Sequence, residues 1–311
     1  MGRFILRLLL FSIVLIVFLA PLFFFRIGGE RLKYIDNPVA AIIDKHERIK
    51  KINSPRLIIT GGSNAFYGIN SAKLRDSLNL DVCNMALFAG FGLDFMLNEL
   101  KDELKSNDIV LLSIEYFLPS RINPKAEEQL IRYYPNSIKY LNKDISTKEK
   151  LLNPIKLNIE SVQNFVLKPL TSKSSIFIQT RLTNEYGDAI GNLNFKNPAH
   201  SDFAVKFEYK DWEGIAKLNQ FLEIAALKNV KVLFVFPPIP EVTYNINKDI
   251  IARLEADLKS RLKIQVLCTP QDMVFDDNLF FDTEYHLNKF GRELRTNKLI
   301  EMIKDFQMSL L

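Results

Sequence analysis

The chain has 311 residues, 48% of them hydrophobic and 25% charged, with 41 Lys and Arg against 36 Asp and Glu and a formal charge of +5. So small an excess, not gathered into a stripe, argues against a nucleic-acid partner, while the hydrophobic share is that of a chain that buries a full core. Two cysteines, Cys83 and Cys268, and three histidines, His46, His200 and His286, are a poor basis for a His/Cys metal cluster, and no metal or cofactor is expected.

In chain order, the first feature is an apolar run from Leu8 to Phe25, broken only by Ser12 and long enough to cross a bilayer as a helix at about 1.5 Å per residue. Arg3 and Arg7 precede it, and Leu19, Ala20 and Pro21 continue into Leu22 without a small-x-small cleavage site. Residues 1–28 are therefore expected to form an uncleaved, single-pass transmembrane anchor in the cell membrane, with the rest of the chain extracytoplasmic. Arg26, Arg31 and Lys33 weaken that charge asymmetry and suit contact with anionic lipid. Residues 29–54 read as a stalk, in which Val39, Ile42 and Ile43 are spaced for a short helix.

From residue 55 to 311, short β-rich runs alternate with amphipathic helical runs, as crossover units feeding a parallel sheet do. Strands are expected at Arg56–Thr60, Asp81–Met85, Ile109–Ile114, Lys231–Phe236 and Ile264–Leu267. Helices are expected at Ser71–Leu78 with Ser71 as the cap, about Leu93–Leu104, Asp211–Leu227, about Asp249–Leu258, and from near Asn288, where Leu294, Leu299 and Ile303 recur. This pattern predicts an α/β fold, a three-layer αβα sandwich on a five-stranded parallel sheet of flavodoxin-like type. Between about 119 and 207 it breaks, with Pro119, Pro124, Pro135, Pro154, Pro169 and Pro198, and an inserted, partly helical subdomain is expected. Cys83 and Cys268 fall in strand-like runs and read as buried free thiols.

Strand one ends in Thr60-Gly61-Gly62-Ser63-Asn64, which puts a serine after two glycines at the end of the sheet where open α/β folds bind ligands. This is neither the G-x-S-x-G elbow, nor a phosphate loop, nor a dinucleotide fingerprint. Taken alone it is an ordinary strand-to-helix turn with a capping hydroxyl. The run Phe281-Asp282-Thr283-Glu284-Tyr285-His286 places the one late histidine on another loop at the same end. A serine needs a base to take its proton, and the base needs an acid to fix its tautomer, so Ser63, His286 and a carboxylate form a candidate acyl-transfer set.

On these residues the chain resembles the SGNH, or GDSL-type, hydrolase superfamily: Gly61-Gly62-Ser63 matches the nucleophile turn, and Asp282 with His286 approximates the late D-x-x-H. The resemblance implies Asp282 as the orienting acid. The spacing is one residue longer than that motif, which leaves Glu284 as a rival. The stretch Asn84-Met85-Ala86-Leu87-Phe88-Ala89-Gly90 resembles the family's second block, which implies an oxyanion hole from the backbone N–H groups of Ser63 and Gly90, with Gly92 the weaker choice. These glycines also suit a helix that starts close to the sheet. Where the family usually has an asparagine after strand three, this chain has Ser113-Ile114-Glu115-Tyr116, so the third oxyanion donor is missing or comes from elsewhere. Asn64, Glu115 and Glu284 are expected to support the site rather than react.

With the anchor, the resemblance extends to membrane-bound SGNH-like proteins of extracellular polysaccharide O-acylation. It implies a serine esterase or O-acyltransferase acting on a cell-surface glycan, with an acyl donor and a multi-pass membrane O-acyltransferase as partner. The alternative is a catalytically reduced scaffold that binds glycan or that partner, and a plain periplasmic lipase is a third reading. Ser63 with His286 favours an enzyme, whereas the lost third donor favours a scaffold.

Overall fold

The computed structural model describes residues 2–24, 38–141, 183–191, 193 and 203–308, with side chains of the first helix described as far as Val17. Helix α1, Gly2–Phe24, is apolar around its circumference, and Phe4, Leu8, Phe11 and Ile16 are exposed. Among the described residues no helix is long and apolar enough to cross a membrane, so the expected span is not found there. The described side chains of α1 stop partway along the apolar run, and residues 25–28 lie outside the described residues.

The chain divides into two units, residues 1–40 with 128–181, and residues 41–127 with 182–311. The first contains α1 and a 3-10 turn at Pro135–Tyr140. Most of the insertion expected over about 119–207 lies outside the described residues, and its described part includes helix α6, Pro124–Tyr133.

The second unit is the α/β body. It opens with α2, Ala41–Lys51, which falls in the segment expected to be a stalk. Ile42 and Ile49 of this helix are buried, and the Lys45 ammonium donates to the Asn84 carbonyl at 2.8 Å, so α2 packs on the sheet and belongs to this unit. An amphipathic helix cannot stand alone in water when its apolar stripe has a sheet to cover.

Five strands, β1 Arg56–Gly61, β2 Asp81–Asn84, β3 Ile109–Ser113, β4 Lys231–Phe234 and β6 Gln265–Val266, pair in parallel in the order β2-β1-β3-β4-β6. All six residues of β1 are buried, as a central strand covered on both faces requires. Helix α5, Gly92–Glu103, packs with α7, Gly214–Leu227, while α3, Ser63–Gly68, and α4, Ser71–Leu78, pack with α10, Lys289–Met308. Two further helices, α8 at Glu241–Ile246 and α9 at Lys248–Arg261, and a small parallel pair, β5 Ile239–Pro240 with β7 Val274–Phe275, complete the unit. The connections leave β1 and β3 in opposite directions across the sheet, which puts the topological switch point, where open α/β sheets bind ligands, at their carboxyl ends.

Two local expectations change. Asn70, not Ser71, caps α4 by accepting from the Lys73 N–H at 3.2 Å. Leu294 is 49% exposed, and Arg295 takes its place on the buried face with Leu299 and Ile303. Cys83 and Cys268 are buried and free.

The opposite end of the sheet is closed by charge. Arg56 begins β1, and its guanidinium meets Asp108 through Nε at 3.2 Å and Nη2 at 3.1 Å, both side chains being fully buried. The same guanidinium donates to the carbonyls of Ile49, Ile52 and Glu103. Every donor direction of this buried cation is matched, which its desolvation demands.

Candidate active site

The turn that carries Ser63 is built by close approach. A Cβ on Gly61 would run into the Ser113 carbonyl oxygen, so only glycine fits there, and one on Gly62 would push against the Glu115 carboxylate. Glu115, 4% exposed, accepts the Gly62 N–H at 3.1 Å and the Asn64 N–H at 3.2 Å. Its carboxylate thus caps the start of α3, where unpaired N–H groups favour negative charge. Ser63 lies between those two residues, half-buried, and its own N–H is left out of the Glu115 pair.

Beneath the turn lies a buried polar network. The Asn64 amide donates to the Ser113 carbonyl at 2.9 Å, and its Oδ1 accepts the Ser113 hydroxyl at 2.8 Å. Arg295, fully buried, donates to the Asn64 carbonyl at 2.8 Å, to Asn64 Oδ1 at 3.0 Å and to Ser113 Oγ at 2.7 Å. Burial pushes this guanidinium down to about 9, against the pull of Cys268 and Glu115. Asn64 therefore points inward and does not stand in for the missing oxyanion asparagine.

The loop that carries His286 closes on itself through a bridge between Phe280 and Leu287 and a 3.0 Å bond from the Phe281 N–H to the His286 carbonyl. That closure folds Asp282 back on the ring, with Oδ1 2.7 Å from His286 Nδ1. A carboxylate only accepts, so Nδ1 carries the proton of this bond and Nε2 is left as the basic nitrogen. Of the two acids the sequence left open, Asp282 is the one that meets the imidazole; Glu284 makes no hydrogen bond to it. The ring centroid of His286 is 4.6 Å from that of Tyr67 and 5.4 Å from that of Phe281. Tyr67 lies one helical turn beyond Ser63 on α3, and burial followed by the Asp282 charge raises its phenol above the usual value. The Ser63 turn and the His286 loop thus reach the same end of the sheet. No hydrogen bond joins the Ser63 hydroxyl to His286 among the described residues.

After β2 the chain runs beside the end of β1, with the Leu87 N–H on the Gly61 carbonyl at 3.3 Å. It then makes a 3-10 turn at Ala89–Phe91, whose bonds run from Phe91 to Phe88 and from Gly92 to Ala89. The Gly92 N–H is therefore spent. With φ of +74° and its Cα against the Ser120 and Arg121 backbone, Gly92 serves the start of α5 instead. The Gly90 N–H is outside the turn's own bonds, and the half-exposed Phe88 ring lies against this glycine.

A second buried cluster, not foreseen, fixes the back of α3. Asp188, fully buried, accepts from the Ser71 N–H at 2.9 Å, Asn84 Nδ2 at 2.9 Å, Asn184 Nδ2 at 3.0 Å and Arg292 Nη2 at 3.1 Å. Ser71, expected as a helix cap, instead gives its hydroxyl to this carboxylate. The Ala189 N–H bonds the Phe66 carbonyl at 3.0 Å, so the 183–189 hairpin is held to the helix that carries Ser63. Arg295 had a sequence signal, an arginine in register with Leu299 and Ile303; Asp188 had none.

Neither protein-family models nor curated proteins gave a match to this chain.

Proposed function

We propose that the chain is a serine esterase or O-acyltransferase of SGNH type, with Ser63 as nucleophile, His286 as base and Asp282 as orienting acid. The observation that carries this reading is the 2.7 Å Asp282–His286 bond on a ring packed against Tyr67, one turn from Ser63. In the first half-reaction Ser63 Oγ attacks an ester carbonyl and its proton passes to His286 Nε2. As the new O–C bond holds, the old one breaks and the leaving oxygen takes that proton. In the second half, an acceptor hydroxyl or water gives its proton to Nε2 and takes the acyl group, which restores Ser63. Backbone N–H groups of Ser63 and Gly90 face the oxyanion, each such donor being worth about 2.7–4 kcal/mol. With no third donor the enzyme is slow rather than inert.

The resemblance supplies the wider setting: a cell-surface polysaccharide as acceptor, and a multi-pass membrane O-acyltransferase that delivers the acyl group. That setting includes a membrane anchor with the α/β unit outside the cytoplasm, a reading that rests on the apolar run Leu8–Phe25 behind Arg3 and Arg7. Protease added outside intact cells should digest that unit; digestion only after disruption reverses the orientation.

A fluorophosphonate probe tests the nucleophile. Wild type should be labelled and Ser63→Ala not, with an unchanged melting curve for the variant. One feature favours the scaffold alternative: Glu115 puts a carboxylate where the family has a donor. Normal glycan acylation by Ser63→Ala would sink the nucleophile assignment and leave that alternative standing.

A further inference from the structure

We propose that Tyr67 is a positioning residue that sets the His286 imidazole, with Phe281 as the second ring of one aromatic bracket. The proposal rests on the acyl-transfer reading for its consequence but not for its geometry.

Asp282 holds one atom of the ring, and a single bond leaves the imidazole free to tilt and swing about it. The acid is itself half exposed, at 50% for its side chain, against 14% for His286. Something else must fix the plane of the ring. Phe281 stacks on it at 26° between planes, while Tyr67 meets it at 52° and 4.6 Å. Tyr67 and Phe281 also meet each other edge to face, their centroids 5.6 Å apart, so the three rings form a closed set.

Tyr67 differs from Phe281 in what it is attached to. Phe281 belongs to the base loop, whereas Tyr67 rides on α3 with Ser63, so its ring is the contact through which nucleophile and base keep register. Phe66, the neighbour on α3, is 1% exposed and fills the core, while Tyr67 is only half-buried and faces the loop. A residue needed for packing alone has no reason to leave the core for a histidine on a surface loop. The ring, rather than the hydroxyl, does this work, since the contacts to His286 and Phe281 are made by the ring.

The test uses the full chain labelled with ¹⁵N-histidine, where three histidines permit assignment by His46→Gln and His286→Gln. In wild type, His286 should show one tautomer, protonated Nδ1 and bare Nε2. Tyr67→Leu should mix the two tautomers and lower kcat by about 10²-fold with KM little changed, the scale on which small misplacements act. Tyr67→Phe should restore the single-tautomer signature. Phe281→Leu, at the second ring of the bracket, should loosen the same signals and serves if Tyr67→Leu does not fold. A Tyr67→Leu spectrum that superimposes on wild type overturns the bracket. Mixed tautomers in Tyr67→Leu together with full activity in Ser63→Ala would support the bracket and reject the acyl-serine reading.

Discussion

Two fully buried arginines lie at opposite ends of one parallel sheet and are held in different ways. Arg56, at the amino ends of β1 and β3, meets Asp108 with two nitrogens and fills its other directions with carbonyls. Arg295, at the carboxyl ends, has only a carbonyl, an amide oxygen and a hydroxyl to bond, all from Asn64 and Ser113. The nearest acid, Glu115, is already committed to the Gly62 and Asn64 N–H groups. A buried charge without its own carboxylate is expensive, and burial lowers the Arg295 guanidinium accordingly. The first end is built for stability. At the second, stability is given up to hold a turn that carries Ser63.

If that division is right, the largest effect on turnover comes from the carboxyl end with none on folding. Asp282→Asn should cut turnover about 10⁴-fold, because an amide no longer holds the tautomer that leaves Nε2 basic. Glu284→Gln should stay near wild type, and both should melt with wild type. A severe Glu284→Gln beside a mild Asp282→Asn would reverse the acid assignment.

The next effect separates the arginines directly. Asp108→Ala leaves Arg56 buried without its acid and should cost about 3–5 kcal/mol of stability, with unchanged turnover in the molecules that remain folded. Arg295→Met removes a charge that lacks a carboxylate along with its bonds, so its stability cost should be smaller, about 1–3 kcal/mol, yet turnover should fall. Denaturant melts beside kinetics decide it. Equal stability losses with no change in turnover for Arg295→Met would make both ends structural clamps.

What could be read in advance follows the same line. Strands β1 to β4 were legible to within a residue or two because apolar runs between charged and glycine stretches mark burial. They overshot at Met85, Ile114, Val235 and Phe236, which are buried but lie beyond the strand ends, although the Met85 and Val235 N–H groups still reach the Ile59 and Leu112 carbonyls at 2.8 and 2.9 Å. The six residues of α3 are too few for a helical period to show. Ser63, Asp282 and His286 stood out because their chemistry is local to a short run. The Arg295 bonds to Asn64 cross 231 positions, and Asp188 reaches Ser71 across 117, distances at which a single sequence gives no pairing signal. The choice between Asp282 and Glu284 needed the Phe281–His286 closure, a backbone fact.

The smallest effect sharpens the comparison through pH. Beside Arg56, whose Nη2 bonds the Glu103 carbonyl at 2.6 Å, His46 is buried against Glu99 at 2.8 Å and Glu103 at 3.5 Å. Burial opposes its charge, but the Glu103 and Glu99 carboxylates prevail and raise it from 6.5 to about 9. Folded His46 therefore keeps a proton that the unfolded chain releases above 6.5, so its contribution is complete below that pH and is lost as pH rises through about 9. Lys45, next to it on α2, is pushed the other way by burial, from 10.5 to about 8, despite Cys83 and Asp188. Above pH 8 the unfolded chain holds the lysine proton more tightly, and stability gains with pH, so the two slopes oppose each other between 8 and 9. The clean window is pH 6.5 to 8, where His46 acts and Lys45 does not, and the loss there should be on the order of 1 kcal/mol. Urea melts across that window should show the loss in wild type and in Lys45→Met but not in His46→Gln. The acidic limb of turnover should be the same in His46→Gln as in wild type, because the base belongs to the other end of the sheet. A limb that moved with His46 would join the two ends and undo the division between them.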